Sequence, residues 1–267
     1  KKYVNLFVFV FMIGACLSQG RAQTKSAVSY KNPVVDIAMP DPTVIKAADG
    51  YFYVYATEST RNVPIMKSKD LVEWTYCNTA FTNKTRPRFE PKAGIWAPDI
   101  NYINGKYVLY YAMSVWGGEQ TCGIGVATAN SPQGPFTDHG KMFRSNEIGV
   151  QNSIDPSLLQ YEGRNYLVWG SFRGIYVIEL TTDGLSIMPG AKKKRIAGTA
   201  FEAVYIHKHD DYYYMFASIG SCCQGVKSTY KVVVGRSKKV WGPYKDKTGK
   251  PMLKNGYSLV IGANDHF

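Results

Sequence analysis

Four acids recur along this chain at matching places: Asp41, Asp99, Asp155 and Glu202, spaced 58, 56 and 47 residues apart. Each stands at the head of a similar stretch: "MPDPTVIKAADGYFYVYAT", "APDINYINGKYVLYYAMS", "SIDPSLLQYEGRNYLVWGS" and "FEAVYIHKHDDYYYMFASI". Carboxylates forced together cannot all ionise independently. Repulsion and desolvation raise at least one pKa while hydrogen-bond partners keep another group charged. That separation supplies a general acid and a general base at one pH. A pair of this kind flanking an acetal is the machinery of glycoside-type hydrolysis. No Gly-rich phosphate loop, Ser-centred elbow or metalloprotease helix competes with it.

The elements that must position these acids follow from the same repeats. In each, an apolar run of strand length leads to a turn and then an aromatic run. The turns carry Asp49-Gly50, Asn104-Gly105, Glu162-Gly163 and Asp210-Asp211, and Asn-Gly and Asp-Gly are strong hairpin signals. A second pair follows each hairpin, at "VPIMKSKDLVEWTY", "GIGVATANSPQGPFTDHG", "GIYVIELTTDGLSIM" and "KVVVGRSKKVWGPYKD". Four antiparallel strands at a period near 50 describe a propeller blade. The expected fold is all-β, a five-bladed β-propeller whose fifth unit begins at "LVIGANDHF" and is incomplete in this chain. Innermost strands of a propeller line the central axis, so equivalent acids on different blades converge at one mouth of the channel. A single acid at a hairpin end is commonly a turn cap; four in one register are expected to be more. Proline after Asp41 and Asp155 suits a strand's first residue and holds its predecessor extended.

The remaining composition bounds the setting. Hydrophobic residues make up 45% and aromatic residues 14%, with 20 Tyr and 25 Gly, which excludes disorder and favours strands joined by tight turns. Residues 1–22 read as a secretory signal: Lys1-Lys2, an apolar run from Val4 to Leu17, then Gly20-Arg21-Ala22. An alternative cut precedes Cys16, which would then carry lipid. The single expected domain spans 23–267, exported to the periplasm, the medium or the cell surface. Of the net charge of +12, three units belong to Lys1, Lys2 and Arg21. Much of the rest lies in "AKKKR" (191–195) and at Lys238-Lys239, expected to be solvated loops. No basic stripe interleaves with stacking aromatics, so nucleic acid is not an expected partner. Four cysteines, Cys77, Cys122, Cys222 and Cys223, follow the signal; their spacing is neither a zinc site nor a disulfide framework, and the pairing of the adjacent two stays open.

At "DPTVI", "GIWAPDI", "NSIDPSLL", "WGSFRGI", "FEAVYI" and "CCQGVKSTYKVVVGRSKKVWGPYKDKTGKPML" the sequence resembles glycoside hydrolase family 43, five-bladed propellers that act on arabinose- and xylose-containing polysaccharides. Within that family it is most similar to the endo-acting α-1,5-L-arabinanases. The resemblance implies that Asp41 is the general base, Glu202 the general acid, and Asp155 a third carboxylate that orients the acid and raises its pKa. Asp99 matches no catalytic position and reads as structural. The family inverts configuration, implying a base-to-acid separation of about 6.5–9.5 Å. Trp96 and Trp116 are the stacking candidates, with Asn152, Ser171 and Phe172 on the same rim. Trp74 and Trp241 read as packing residues. His266 matches a channel-lining His that helps to hold a calcium ion, although Asn264-Asp265-His266-Phe267 departs from the family's usual Gly-His-Asn. The hydrolysis needs no cofactor; a structural calcium in the channel is expected beside it. The expected partner is arabinan or a related plant polysaccharide, met by a monomer. Rivals are an exo-acting α-L-arabinofuranosidase or β-xylosidase, and a non-catalytic glycan-binding propeller. Ile154 and Ala203 stand where fructan-processing propellers carry Arg and Cys, which disfavours that branch.

Overall fold

A computed structural model describes residues 29–262 of the chain. Residues 1–22, Cys16 and His266 therefore lie outside the described residues. Sixteen strands form four antiparallel sheets of four, each a meander in chain order. The first blade holds β1 (Thr43–Lys46), β2 (Phe52–Tyr55), β3 (Pro64–Ser68) and β4 (Trp74–Thr79). The second holds β5 (Gly94–Ile103), β6 (Lys106–Ser114), β7 (Gly123–Ala129) and β8 (Thr137–Arg144), followed by a single helical turn, α1 (Ser145–Ile148). The third holds β9 (Ser157–Tyr161), β10 (Arg164–Trp169), β11 (Ile175–Glu179) and β12 (Lys194–Ala197). The fourth holds β13 (Glu202–His209), β14 (Tyr212–Ile219), β15 (Lys231–Ser237) and β16 (Ser258–Ile261).

The first strands of successive blades are neighbours: β1 lies by β5, β5 by β9, and β9 by β13. They are thus the inner strands of a propeller. Between blades lie three apolar layers. Tyr53, Tyr55, Val63 and Ile65 meet Leu109, Tyr111 and Met113 between blades one and two. Val108, Tyr110, Ile124 and Val126 meet Leu167, Trp169 and Ile178 between blades two and three. Val168, Ile175 and Val177 meet Val204, Ile206, Met215 and Val233 between blades three and four. Strand alternation explains why β6 reads as one unbroken apolar run: Leu109, Tyr111 and Met113 face one neighbour, Val108 and Tyr110 the other. Gly125 of β7 lies against the Tyr111 ring, where an added Cβ would come within 2.3 Å of the hydroxyl; the layer is closed by the absence of a side chain.

Three expectations need correction. The described residues form four blades, not five, and Leu259–Ile261 is not the start of a fifth unit. It belongs to β16, which pairs with β15 as the outer edge of blade four. The outer strands of blades three and four also lie later in the chain than the repeats suggested. "TTDGLSIM" leaves only an isolated bridge, Leu180 to Ile187, and the fourth strand of blade three is β12. So part of the "AKKKR" run is strand, with Lys194 and Arg195 exposed on its edge. Charged side chains on an outer strand discourage pairing with another chain. Residues 29–42 carry no strand.

Candidate active site

The four acids are not all in register. The residues that occupy the same corner at the entry to the first strand are Asp41, Ala97, Asp155 and Ala203. Each has a left-handed backbone, with φ of 49°, 40°, 58° and 50°, so Asp41 and Asp155 lack the extended backbone expected before their prolines. Proline follows the first three. Asp99 stands two residues past its corner, in β5, and Glu202 one residue before its own. Both β5 and β13 carry a pairing irregularity at this point, between Trp96 and Asp99 and between Glu202 and Tyr205. A bulge of this kind redirects a side chain at the rim of a sheet. It brings Glu202 beside the corner carboxylates while Asp99 is turned to another task.

Asp41 is exposed at the mouth and accepts the Thr57 hydroxyl on Oδ2. Thr57 Oγ1 in turn accepts the Ala97 N–H at 2.7 Å, so blade two's corner steadies blade one's acid. Asp155 Oδ2 accepts the Ala203 N–H at 3.2 Å, which fixes the peptide that immediately follows Glu202. Glu202 is 8% exposed. The Ser171 hydroxyl donates to its Oε2 at 2.6 Å and the Tyr230 hydroxyl to its Oε1 at 2.7 Å. Asn152 Nδ2 donates to Ser171 Oγ at 2.9 Å, extending the network through a buried serine.

Burial is the largest influence on Asp155 and raises its pKa well above the carboxylate range; the charges of Glu202 and then Asp41 raise it further, against the Ala203 N–H. Burial likewise raises Glu202, opposed by the Ser171 and Tyr230 hydroxyls and reinforced by Asp41. Burial and their mutual repulsion therefore favour a proton on Asp155 or Glu202 over two bare carboxylates. Asp41, Asp155 and Glu202 are thus near enough for their charges to act on one another. The set contains an exposed carboxylate and a buried pair that holds a proton, which is a base and an acid at the same pH.

Of the other expected site residues, Trp96 is half-buried and its ring lies 5.5 Å from that of Trp116 at a 50° tilt. Trp116 is 78% exposed. Phe172 follows Ser171 with a positive φ of 49°. Asn152 and Ser171 stand behind Glu202, in the network just described. Trp74 and Trp241 pack in outer positions, Trp241 against Tyr161 and Tyr166. Tyr230 was not singled out from sequence. Its signal was present, since it ends the long "CCQGVKSTY" run, but only the fold shows that it reaches Glu202. Asp99 accepts the Leu158 N–H and Asn101 Nδ2, both at 2.7 Å, as a structural carboxylate would. Among the described residues no three His, Cys, Asp or Glu side chains cluster as metal ligands. Cys222 and Cys223 are joined by a disulfide, while Cys77 and Cys122 are free.

The family model described as glycosyl hydrolases family 43 matches residues 30–265. The extracellular endo-alpha-(1->5)-L-arabinanase 1 of Bacillus subtilis is 38% identical over 241 residues, covering 85% of this chain and 73% of that protein. The extracellular exo-alpha-(1->5)-L-arabinofuranosidase ArbA of Cellvibrio japonicus is 36% identical, covering 84% of this chain and 71% of that protein. Among solved structures, the Cellvibrio cellulosa alpha-L-arabinanase complexed with arabinohexaose superposes with a TM-score of 0.77 at 33% identity, covering 85% of this chain and 79% of that one.

Proposed function

Because the chain belongs to glycosyl hydrolase family 43, we propose that it is an exported, inverting, endo-acting hydrolase of α-1,5-linked L-arabinan. Glu202, protonated, gives its proton to the glycosidic oxygen as the bond to the anomeric carbon breaks. Asp41 takes a proton from a water that attacks that carbon from the opposite face. Asp155 is a positioning residue: it holds the Ala203 N–H beside Glu202, and the repulsion between the two carboxylates helps to keep a proton on the pair. After one turnover Asp41 carries the proton that Glu202 has lost, and exchange with solvent resets both.

The observation that carries this reading is Glu202 itself. It is a buried acid whose two oxygens are met by Ser171 and Tyr230, and it feels the charge of Asp41. Export is supported by the form of residues 1–22 and by relatives named extracellular. The substrate assignment is supported by relatives named for arabinan cleavage. Incubation with linear α-1,5-arabinan should release short oligosaccharides, the first-formed anomer being β by proton NMR. Glu202→Gln should bind arabino-oligosaccharides and not cleave them. Release of arabinose alone would favour exo action, a reading that the ArbA relative of Cellvibrio japonicus supports. Equal behaviour of parent and variant in binding and turnover would leave only a glycan-binding role.

A further inference from the structure

Two basic runs that lie apart in the sequence meet on the outer wall of the propeller. Lys192 and Lys193 lead into β12, the outer strand of blade three, and Lys194 and Arg195 begin it. Lys245, Lys247, Lys250 and Lys254 lie on the excursion between β15 and β16 of blade four. All eight side chains are exposed. Each run is pinned by one apolar residue: Ile196 and Met252 are buried together in the layer between blades three and four. The two segments are hydrogen-bonded to each other there. The Gly198 N–H donates to Met252 O at 2.9 Å, and the Ala200 N–H donates to Asn255 Oδ1 at 3.2 Å. The cations on either side of these anchors are left in solvent along one outer edge, away from the inner strands that carry the carboxylates.

The charge on this edge is not balanced. Among the described residues, none of the eight cations has an acid within ion-pair distance. Segments 191–200 and 245–256 hold one acid, Asp246. Its Oδ1 is taken by the Thr248 and Lys250 N–H groups and the Thr248 hydroxyl. Lys193 Nζ and Arg195 Nε donate to the carbonyls of Ile148 and Ala197, which orients them without neutralising them. One basic run is a solvated face. Two runs folded against each other add their fields, and the surface then attracts a polyanion. Arabinan is neutral, so these charges answer to something other than the proposed substrate. The form of the edge narrows the partner. Cations strung along an edge suit a linear polymer better than a compact anion. Seven of the eight are Lys, point charges on flexible stems, whereas bidentate phosphate recognition calls for Arg. The exposed apolar side chains beside them are Leu253 and Tyr257, at 44% and 43%, too small a face to enter a bilayer. Tyr257 offers a ring to the face of a sugar. We propose that the edge formed by β12 and the 245–254 segment binds a linear acidic polysaccharide, a polyuronate. The proposal draws on the function above only for export, which brings the chain to such polymers.

Binding to immobilised polygalacturonate at about 0.05 M salt tests it, with about 0.5 M salt as the screened condition. The parent should bind at the lower salt and not at the higher, and should ignore the fully methyl-esterified polymer. Lys192→Gln, Lys194→Gln, Lys250→Gln and Lys254→Gln together should weaken binding by about tenfold or more. The same loss of charge at the exposed Lys31, Lys69, Lys84 and Lys92, around blade one, should change it by no more than about twofold. Both variants should cut short arabino-oligosaccharides as the parent does, which also shows that they are folded. No binding by the parent would overturn the proposal, and so would equal weakening in the two variants, which would reduce the effect to net charge. Tighter binding to phosphatidylglycerol vesicles or to duplex DNA than to polygalacturonate would also overturn it. A parent that binds polygalacturonate through this edge and leaves arabinan uncut would overturn the proposed function and keep the polyuronate edge.

Discussion

Asp99 Oδ2 accepts the backbone N–H of Leu158 at 2.7 Å, tying the inner strand of blade two to that of blade three. Its other oxygen accepts the Thr43 hydroxyl of blade one at 3.5 Å. One carboxylate thus joins the inner strands of three blades. Asp99→Asn places an amide donor where one of these donors now points. An unsatisfied buried donor costs about 1–3 kcal/mol, so the melting temperature at pH 7 should fall by several degrees. Burial raises the Asp99 pKa to about 6. A folded pKa above the unfolded value means that the native state binds the proton more readily. The Asp99 contribution to stability therefore grows as pH falls from above 6 toward 4, and the variant should lack that part of the pH dependence. Melting curves across pH 4–7 for both proteins check this.

Ser171 and Tyr230 both favour the ionised form of Glu202. Removing either donor therefore raises the pKa of the acid. Ser171→Ala and Tyr230→Phe should each move the alkaline limb of the kcat/KM profile to higher pH and lower the maximum by roughly tenfold, a part of the 10²–10⁴ typical of acid–base catalysis. A profile that falls in height without moving would assign these hydroxyls to binding alone.

Asp155→Asn should do the opposite to that limb. Its amide oxygen can still accept the Ala203 N–H, but the second carboxyl group, whose repulsion with Glu202 keeps a proton on the pair, is gone. Loss of like-charge repulsion lowers the pKa of the acid, so the alkaline limb should move to lower pH. The opposite signs for Asp155→Asn and Tyr230→Phe form the sharper test, because misfolding does not produce both.

Arg86 pairs with Glu58 through both guanidinium nitrogens, in a site where the two side chains are 6% and 9% exposed. Glu58 also accepts the N–H groups of Asn62 and Ile95 at 2.8 and 2.9 Å, joining blades one and two near the mouth. Burial alone would raise the Glu58 pKa; the Arg86 hydrogen bonds and these N–H groups overcome it and lower it. Arg86→Met leaves a buried charge unpaired and should cost about 3–5 kcal/mol in chemical denaturation. The stabilisation from Glu58 is present above the unfolded carboxylate pKa and is lost as pH falls through the lower folded value. The difference between parent and variant should therefore shrink in acid.

The propeller was legible in the sequence because it depends on repetition, whereas the choice of Asp41, Asp155 and Glu202 comes from the family resemblance. Hairpin turns such as Asn104-Gly105, with φ of 48° and 81°, mark the inner strand pairs locally. The outer strands were less legible. β12 and β16 are short, lie at the edge and follow long excursions, so neither period nor apolar content announces them. Asp99 was read as structural but placed in register with Asp41 and Asp155. Only the bulge between Trp96 and Asp99 reveals that Ala97 holds the equivalent corner. Ser171 is expected on the rim, but its bond to Glu202 and that of Tyr230 have no local signal. Ser171 and Tyr230 lie 31 and 28 residues from Glu202, and a contact of that separation leaves no spacing rule to read.

Ala97 has the same left-handed turn as Asp41 and Asp155, yet its side chain is a single methyl. The chain path at these entrances does not depend on what the residue carries. Reactive groups can therefore be mounted or removed at each entrance by one codon change, while the frame around them stays as it was. A rotationally repeated scaffold of this kind separates inheritance of shape from inheritance of chemistry, and its spare entrance is the natural address for installing a new group.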